Sequence, residues 1–332
     1  MPDCETRAGA EPAAVKLLPS CFRGDFAQLS ALMQRTWEKN QETPLLYTET
    51  LLESTLGYPG TDRMFSPCIY DGDRLLAFVT GLPRRFLVNG QERRILLTTF
   101  LTADPEQRNA RYGLTLWREI YQRARSAGYD GALSLCVEGD DMNRIVVPLG
   151  RVCHFNTRRI FTVDYLTRFL RPAQETVTAC SDEEVDLFLK LASAVAEAVP
   201  FARVWSRSEA LWQCRLREGA LTISACHDGR RGMLSGYLVW VASKPAVKAL
   251  AVEDVFWGDL ESAERVVLTQ KFMSAAASLG AKLASCPVMN YADLEPLRAA
   301  GFRAAKRRIH VYLTSWNGLE PAEYPSVYMD VL

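Results

Sequence analysis

The chain has 332 residues, 48% of them hydrophobic, and its 39 Lys plus Arg balance 39 Asp plus Glu for a formal net charge of zero. That length suits two domains of ordinary size, each with a core of its own. The missing basic excess speaks against a nucleic-acid partner.

The first residues, MPDCETRAGAEPAAVK, lack the apolar core of a secretory signal, and no apolar run approaches ~18 residues. A soluble, cytoplasmic protein that does not enter a membrane is expected. A short strand is predicted over 15–18, then an amphipathic helix over 25–40 with Phe26, Leu29, Leu32 and Met33 on one face. A second helix, over 48–56, ends at Gly57 and Pro59. The strands MFSPCIY and RLLAFVTGLPRRFLV are joined by Asp71-Gly72-Asp73, and Asn89-Gly90 turns the second into RRILLTTFLTA. After the loop TADPEQRNARYG come a helix, the strand GALSLCVEG, a short helix over 141–149 and the strand TRRIFTVDYL.

Residues 170–176 read as a linker, and the order then begins again. The strand ETVTACS precedes a helix over 182–198 with an acidic first turn, which suits its dipole. A short helix over 208–217 leads to a hairpin, ALTISACH and GMLSGYLVWVAS, around Asp228-Gly229. The strand VKALAVEDVFW, a helix over 262–279, the strand KLASCPV, a helix over 291–300 and the strand AKRRIHVYL follow. A last strand, SVYMDVL, is expected to pair within the chain or across a homodimer. The repeated order predicts two similar α/β (α+β) domains, 1–169 and 170–332. Each would be a mixed, mostly antiparallel twisted sheet flanked by helices.

The loop at 102–113 is long and positively charged, and it ends in a glycine at a helix mouth. The first N–H groups of a helix have no internal partner, and the dipole there favours negative charge. Gly113 admits a ligand close to the backbone, and Arg108 and Arg111 add full charges, so a phosphate or pyrophosphate would fit. The bland alternative is a charged loop that caps a helix.

ADPEQRNARYG resembles the acyl-CoA-binding motif of the GNAT acyltransferases, Val-x-Pro, two residues, then Arg or Gln-x-x-Gly-x-Gly or Ala. Pro105, Arg108 and Gly113 match. Ala103 stands in place of valine, and Arg111 in place of the first glycine. The element order over 14–169 is similar to the whole fold of that family. The resemblance implies acetyl-CoA or another acyl-CoA as co-substrate, held by Arg108, Asn109, Ala110, Arg111, Tyr112 and Gly113. It also implies that the preceding strand splays from its neighbour and offers free amides near Phe100, Leu101 and Ala103 to the thioester carbonyl. The second half resembles the fold but not the motif. WGDLESAERVVL carries Asp259, Glu261 and Glu264, which would repel a pyrophosphate.

Acyl transfer to an amine needs a base, an oxyanion donor and sometimes an acid. The family's usual acid, a tyrosine four residues before the closing-helix glycine, is replaced by Val146 and Leu297. Base candidates are Glu138, Asp140 and Asp141 after GALSLCV, and Glu253 or Asp254, of which at most one faces a given cleft. Glu138, Asp141 and Asp254 are taken as the catalytic candidates. The early helices would shape the acceptor pocket, with Trp37, Tyr47 and Glu49 contacting a small-molecule amine.

The three histidines have no metal-ligand spacing, and there is no Walker loop, nucleophile elbow or dinucleotide fingerprint. The nine cysteines are odd in number and lack a C-x-x-C pair, so they read as reduced, buried thiols. Arg84-Arg85, Arg93-Arg94 and Lys306-Arg307-Arg308 read as solvated strand edges. The sequence therefore predicts a tandem GNAT-like N-acyltransferase. An aminoacyl-tRNA-dependent transferase and a non-catalytic CoA-binding module are the alternatives.

Overall fold

The computed structural model describes residues 17–37 and 45–331. Half of the strand expected at 15–18 lies outside the described residues, as does the end of the helix expected at 25–40.

The chain begins with β1 (Ser20–Cys21), α1 (Phe26–Trp37) and α2 (Glu49–Leu56), whose N-cap Thr48 accepts the Leu51 N–H. Next come β2 (Pro67–Asp71), β3 (Arg74–Val88) and β4 (Gln91–Ala103), joined by the expected tight turns. A 3-10 turn, Pro105–Ala110, leads into α3 (Tyr112–Ser126). β5 (Gly131–Val137), α4 (Asp141–Val152) and β6 (Asn156–Phe169) complete the first half.

The second half has α5 (Asp182–Ala198), started by a Ser181–Glu184 capping box, then β7 (Phe201–Val204) and α6 (Arg207–Leu211). It continues with β8 (Ala220–His227), β9 (Arg230–Val241), β10 (Val247–Phe256), α7 (Ser262–Ser278) and β11 (Ala281–Val288). It ends with α8 (Glu295–Ala299), β12 (Arg303–Ser315) and β13 (Val327–Tyr328). Three expectations fail here. ETVTACS forms no strand, SVYMDVL pairs over only two residues, and the short strand β7 was not anticipated. β7 bonds to β3 and, in parallel, to β13, so the chain's last strand pairs within the chain.

The main sheet is continuous, in the order β1-β2-β3-β4-β5-β12-β6-β11-β10-β9-β8. It is mixed and mostly antiparallel, as expected. The parallel pairs are β4 with β5 and β10 with β11. Helices cover it: Leu116, Trp117, Ile120, Tyr121 and Ala124 of α3 are buried at helical spacing against β3 and β4.

The halves do not close separately. β5, in the first half, takes β12 as its antiparallel partner, from Ser315↔Gly131 to Ile309↔Val137. β11, in the second half, takes β6, from Leu283↔Phe169 to Val288↔Asp164. Each half thus lends one strand, β6 or β12, to the other, and β6 and β12 pair with each other at the centre. The approach is close at Gly131, where a Cβ would lie 2.7 Å from the Thr314 carbonyl oxygen.

Candidate active site

Both parallel pairs open partway along. β4 and β5 are in register from Ile95↔Gly131 to Thr98↔Ser134, and β4 then runs on to Ala103 without β5. Side chains close the apex of this wedge. Thr98 Oγ1 donates to the Leu133 carbonyl (2.7 Å), and Ser134 Oγ sits 2.9 Å from Thr98 Oγ1 and 2.6 Å from Tyr121 Oη. On the other side of β4 the register with β3 jumps from Thr80↔Thr99 to Phe78↔Thr102. Phe100 and Leu101 therefore have no ladder partner on either side. Phe100 sits at φ +60°, a conformation that non-glycine residues adopt at turns, bulges and sites.

The second half repeats this. β10 leaves β11 after Ala251↔Ser285, and its register with β9 jumps from Val252↔Gly236 to Asp254↔Ser235. Glu253 is the bulged residue. Neighbouring strand residues face opposite ways, and here Glu253 lines the cavity with Ala249 and Ala251 while Asp254 turns from it.

A single cavity of about 630 Å³ runs from the first wedge to the second. Thr98, Phe100, Leu101 and Trp117 line one end, and Val239, Val241, Ala249 and Leu283 the other. Leu45 and Tyr47 roof it, with the Leu46 N–H bonded to the Trp240 carbonyl at 2.8 Å. Its charged lining residues are Asp140, Asp141, Glu253 and Arg307. The Trp117 indole N–H is buried on this wall without a hydrogen-bond partner.

Glu253 is buried, and burial pushes its carboxyl up to about 7 against the opposing charge of Arg217. Arg217 Nη1 is 3.9 Å from Glu253 Oε1, and the Val331 N–H points to Oε2 at 3.4 Å. A buried carboxyl near neutrality, in a cavity, has the properties of a general base.

Asp254, the residue favoured from sequence, does not line the cavity. Its carboxylate accepts from Ser235 Oγ (2.5 Å), Gln213 Nε2 (3.0 Å) and Tyr328 Oη (2.9 Å), and so braces the opposite face. Glu138 is exposed, 3.6 Å from His310 Nε2, and Glu49 is exposed on the first turn of α2; neither reaches the cavity. Asp141 lines it, as does Asp140, which stands at the N-cap of α4 with its carboxyl raised by burial. Trp37 and Tyr47 both line it, with ring centroids 5.7 Å apart. Ala103 stays in the β3 ladder opposite Ala77.

Arg111, Tyr112 and Gly113 lie at the start of α3, about 6–9 Å along the axis from Trp117 at about 1.5 Å per residue. Arg111 is in the left-handed region (φ +53°) directly after a helical Ala110. That sequence of conformations turns successive N–H groups to one side as an anion nest. Among the described residues no side chain caps α3. The start of α7, by contrast, is filled by carboxylates: Glu264 accepts the Glu261 N–H at 2.8 Å and is held by Arg230 at 2.6 Å.

The arginine pairs are not all solvated edges. Arg84 is fully buried, whereas Arg307 is exposed and also lines the cavity. Eight cysteines are free among the described residues, where no helix is long and apolar enough to cross a membrane.

No protein-family model and no curated protein matches the sequence. Solved structures do. Saccharomyces cerevisiae N-myristoyltransferase with bound myristoyl-CoA and inhibitors aligns at a TM-score of 0.75 and 12% identity, over 94% of this chain and 82% of that one. Another structure of that enzyme with bound myristoyl-CoA aligns at 0.73 and 13% identity, over 96% and 86%. A GCN5-related N-acetyltransferase from Kribbella flavida aligns at 0.52 and 13% identity, over 91% and 72%. At these identities the likeness is one of fold. The chain has the mixed α/β fold of these N-acyltransferases, as its element order anticipated.

Proposed function

We propose that the protein is an acyl-CoA-dependent N-acyltransferase that acylates a small-molecule amine by direct attack. The observation that carries this reading is the wedge at Phe100–Leu101, with its unpaired backbone, ending beside an uncapped helix start. The wedge suits a narrow pantetheine arm, and the α3 start with Arg111 suits its pyrophosphate. The free amides of the bulge would meet the thioester carbonyl and stabilise the oxyanion that forms there. Glu253, from the other half, would take one proton from the incoming ammonium. The neutral amine attacks, the C–S bond breaks, and the amine's second proton ends on the CoA thiolate. Only the first wedge has a helix start free for phosphate, which supports one donor site per chain.

The test is calorimetric binding of acetyl-CoA, followed by thiol release with a panel of small amines. Acetyl-CoA that binds and is cleaved only with an amine present supports the reading. Binding without turnover on any amine would leave a CoA-binding module, and no binding would remove the donor site.

A further inference from the structure

Arg307 is the cation among the cavity's described lining residues, and it is also exposed to solvent. The register between β12 and β6 jumps from Ala304↔Leu166 to Arg308↔Asp164. Three β12 residues therefore face the single β6 residue Tyr165; the alternate residues Ala305, Arg307 and Ile309 line the cavity, while Arg308 pairs with Asp164 at 2.8 Å. The guanidinium carbon of Arg307 lies 5.6 Å from the Tyr165 ring centre. Among the described residues Arg307 makes no hydrogen bond and no ion pair. Its charge acts to lower the carboxyl of Asp140, which lines the same cavity, and a guanidinium that makes neither a hydrogen bond nor an ion pair is a ready partner for a planar anion.

The groups around it are of two kinds. Tyr165 and Tyr237 line the same wall, and burial raises both phenols. The charges of Arg307 and Glu253 act on each phenol in opposite directions, and both side chains line the one cavity. Beyond them the wall is apolar: Leu45, Val239, Val241, Ala249 and Leu283. The cavity thus offers a carboxylate, a guanidinium and an apolar chamber within one enclosure of a size usual for small ligands.

We infer that the acceptor is a zwitterionic α-amino acid with an apolar side chain, its ammonium on Glu253, its carboxylate on Arg307 and its side chain in the apolar chamber. The inference rests on the acyl-transfer reading for what happens to the amine, but the binding itself does not depend on it.

The experiment compares phenylalanine, phenethylamine and 3-phenylpropionate by calorimetry, on the full-length protein and on Arg307→Met and Arg307→Lys, with and without CoA. Leucine with isoamylamine forms a second set. The wild type should bind the amino acid roughly tenfold or more tighter than the matching amine. Arg307→Met should erase that difference, Arg307→Lys should restore part of it, and the affinity for CoA should stay unchanged in both. Equal binding of amino acid and amine, or no binding of any amino acid in either set, would overturn the inference. So would weaker CoA binding by Arg307→Met at unchanged amino-acid affinity, which would make Arg307 a donor contact. A wild type that binds the amino acid but no acyl-CoA would remove the transferase reading and leave the amino-acid site standing.

Discussion

Nη2 of Arg84, on β3, lies 2.5 Å from Oδ2 of Asp330, 246 positions further along the chain. Arg203 on β7 closes on the same oxygen at 2.7 Å, and the Arg84 guanidinium stacks 3.7 Å from the ring centre of Tyr58. All three charged groups are buried. Burial alone would raise the Asp330 carboxyl, but Arg203 and Arg84 outweigh it and hold the group far below the usual carboxylate range. Asp330→Asn leaves two buried guanidiniums facing a neutral amide. It should cost about 3–5 kcal/mol, measured by urea unfolding. Because the folded value is depressed, the stabilisation is present above the ordinary carboxylate pKa and is lost as pH falls below it. The wild-type advantage over Asp330→Asn should shrink from about pH 4 downward.

Gly113→Glu tests the donor site. A Cβ at Gly113 meets nothing within 4 Å, and its φ is not positive, so the fold should not notice the change. A carboxylate at an uncapped helix start competes with a phosphate for the same dipole and N–H groups. Affinity for acetyl-CoA should fall by about tenfold or more at unchanged melting temperature. Equal affinity in the folded variant would make the loop a plain helix cap.

Glu253→Gln should lower kcat by roughly a hundred- to ten-thousand-fold while leaving acyl-CoA affinity unchanged. With Glu253 poised at about 7, the wild-type rate should climb with pH through neutrality, and the variant should lose that inflexion. Stability runs the other way. The folded carboxyl holds its proton more tightly than the unfolded one, so folding weakens as pH rises from about 4.5 to 7 and levels off above. The variant should therefore be at least as stable as the wild type at pH 8, read by thermal unfolding.

The exchange of β6 and β12 predicts that residues 1–169 and 170–332, produced separately, will not fold as they do together. β5 and β11 would each lack their observed partner. Circular dichroism of each piece, and of the mixture, checks this. Gly131→Ala, which drives a Cβ against the Thr314 carbonyl, should destabilise the intact chain by about 1–3 kcal/mol.

Much of the fold was legible. Asp-Gly and Asn-Gly turns marked the hairpins, and α3 announced itself by apolar spacing and by the loop before it. The exchange was not, because a two-residue alternation says that β12 is a strand but not whether it pairs with β5, β6 or both. The short strand β7 was missed because FARV carries no alternation long enough to read. At the site, Glu253 and Asp254 were both in view, and alternation allowed only one of them into a cleft. Which one depends on which face of β10 meets the cavity, and that is set by partners remote in sequence. Arg84 read as a surface cation because its partner, Asp330, is remote in sequence. Arg307 was read the same way and is exposed, but it also lines the cavity.

The exchanged strands also put biosynthesis on a clock. β5 is complete at residue 137, but its partner β12 is complete only at 315. At about 5–20 residues per second, the edge of β5 waits roughly ten to thirty-five seconds on the ribosome. In that interval β6 is the next strand to emerge, and a β5–β6 pairing made then must open again to admit β12. The two wedges and the cavity between them are finished only after β12 has been made.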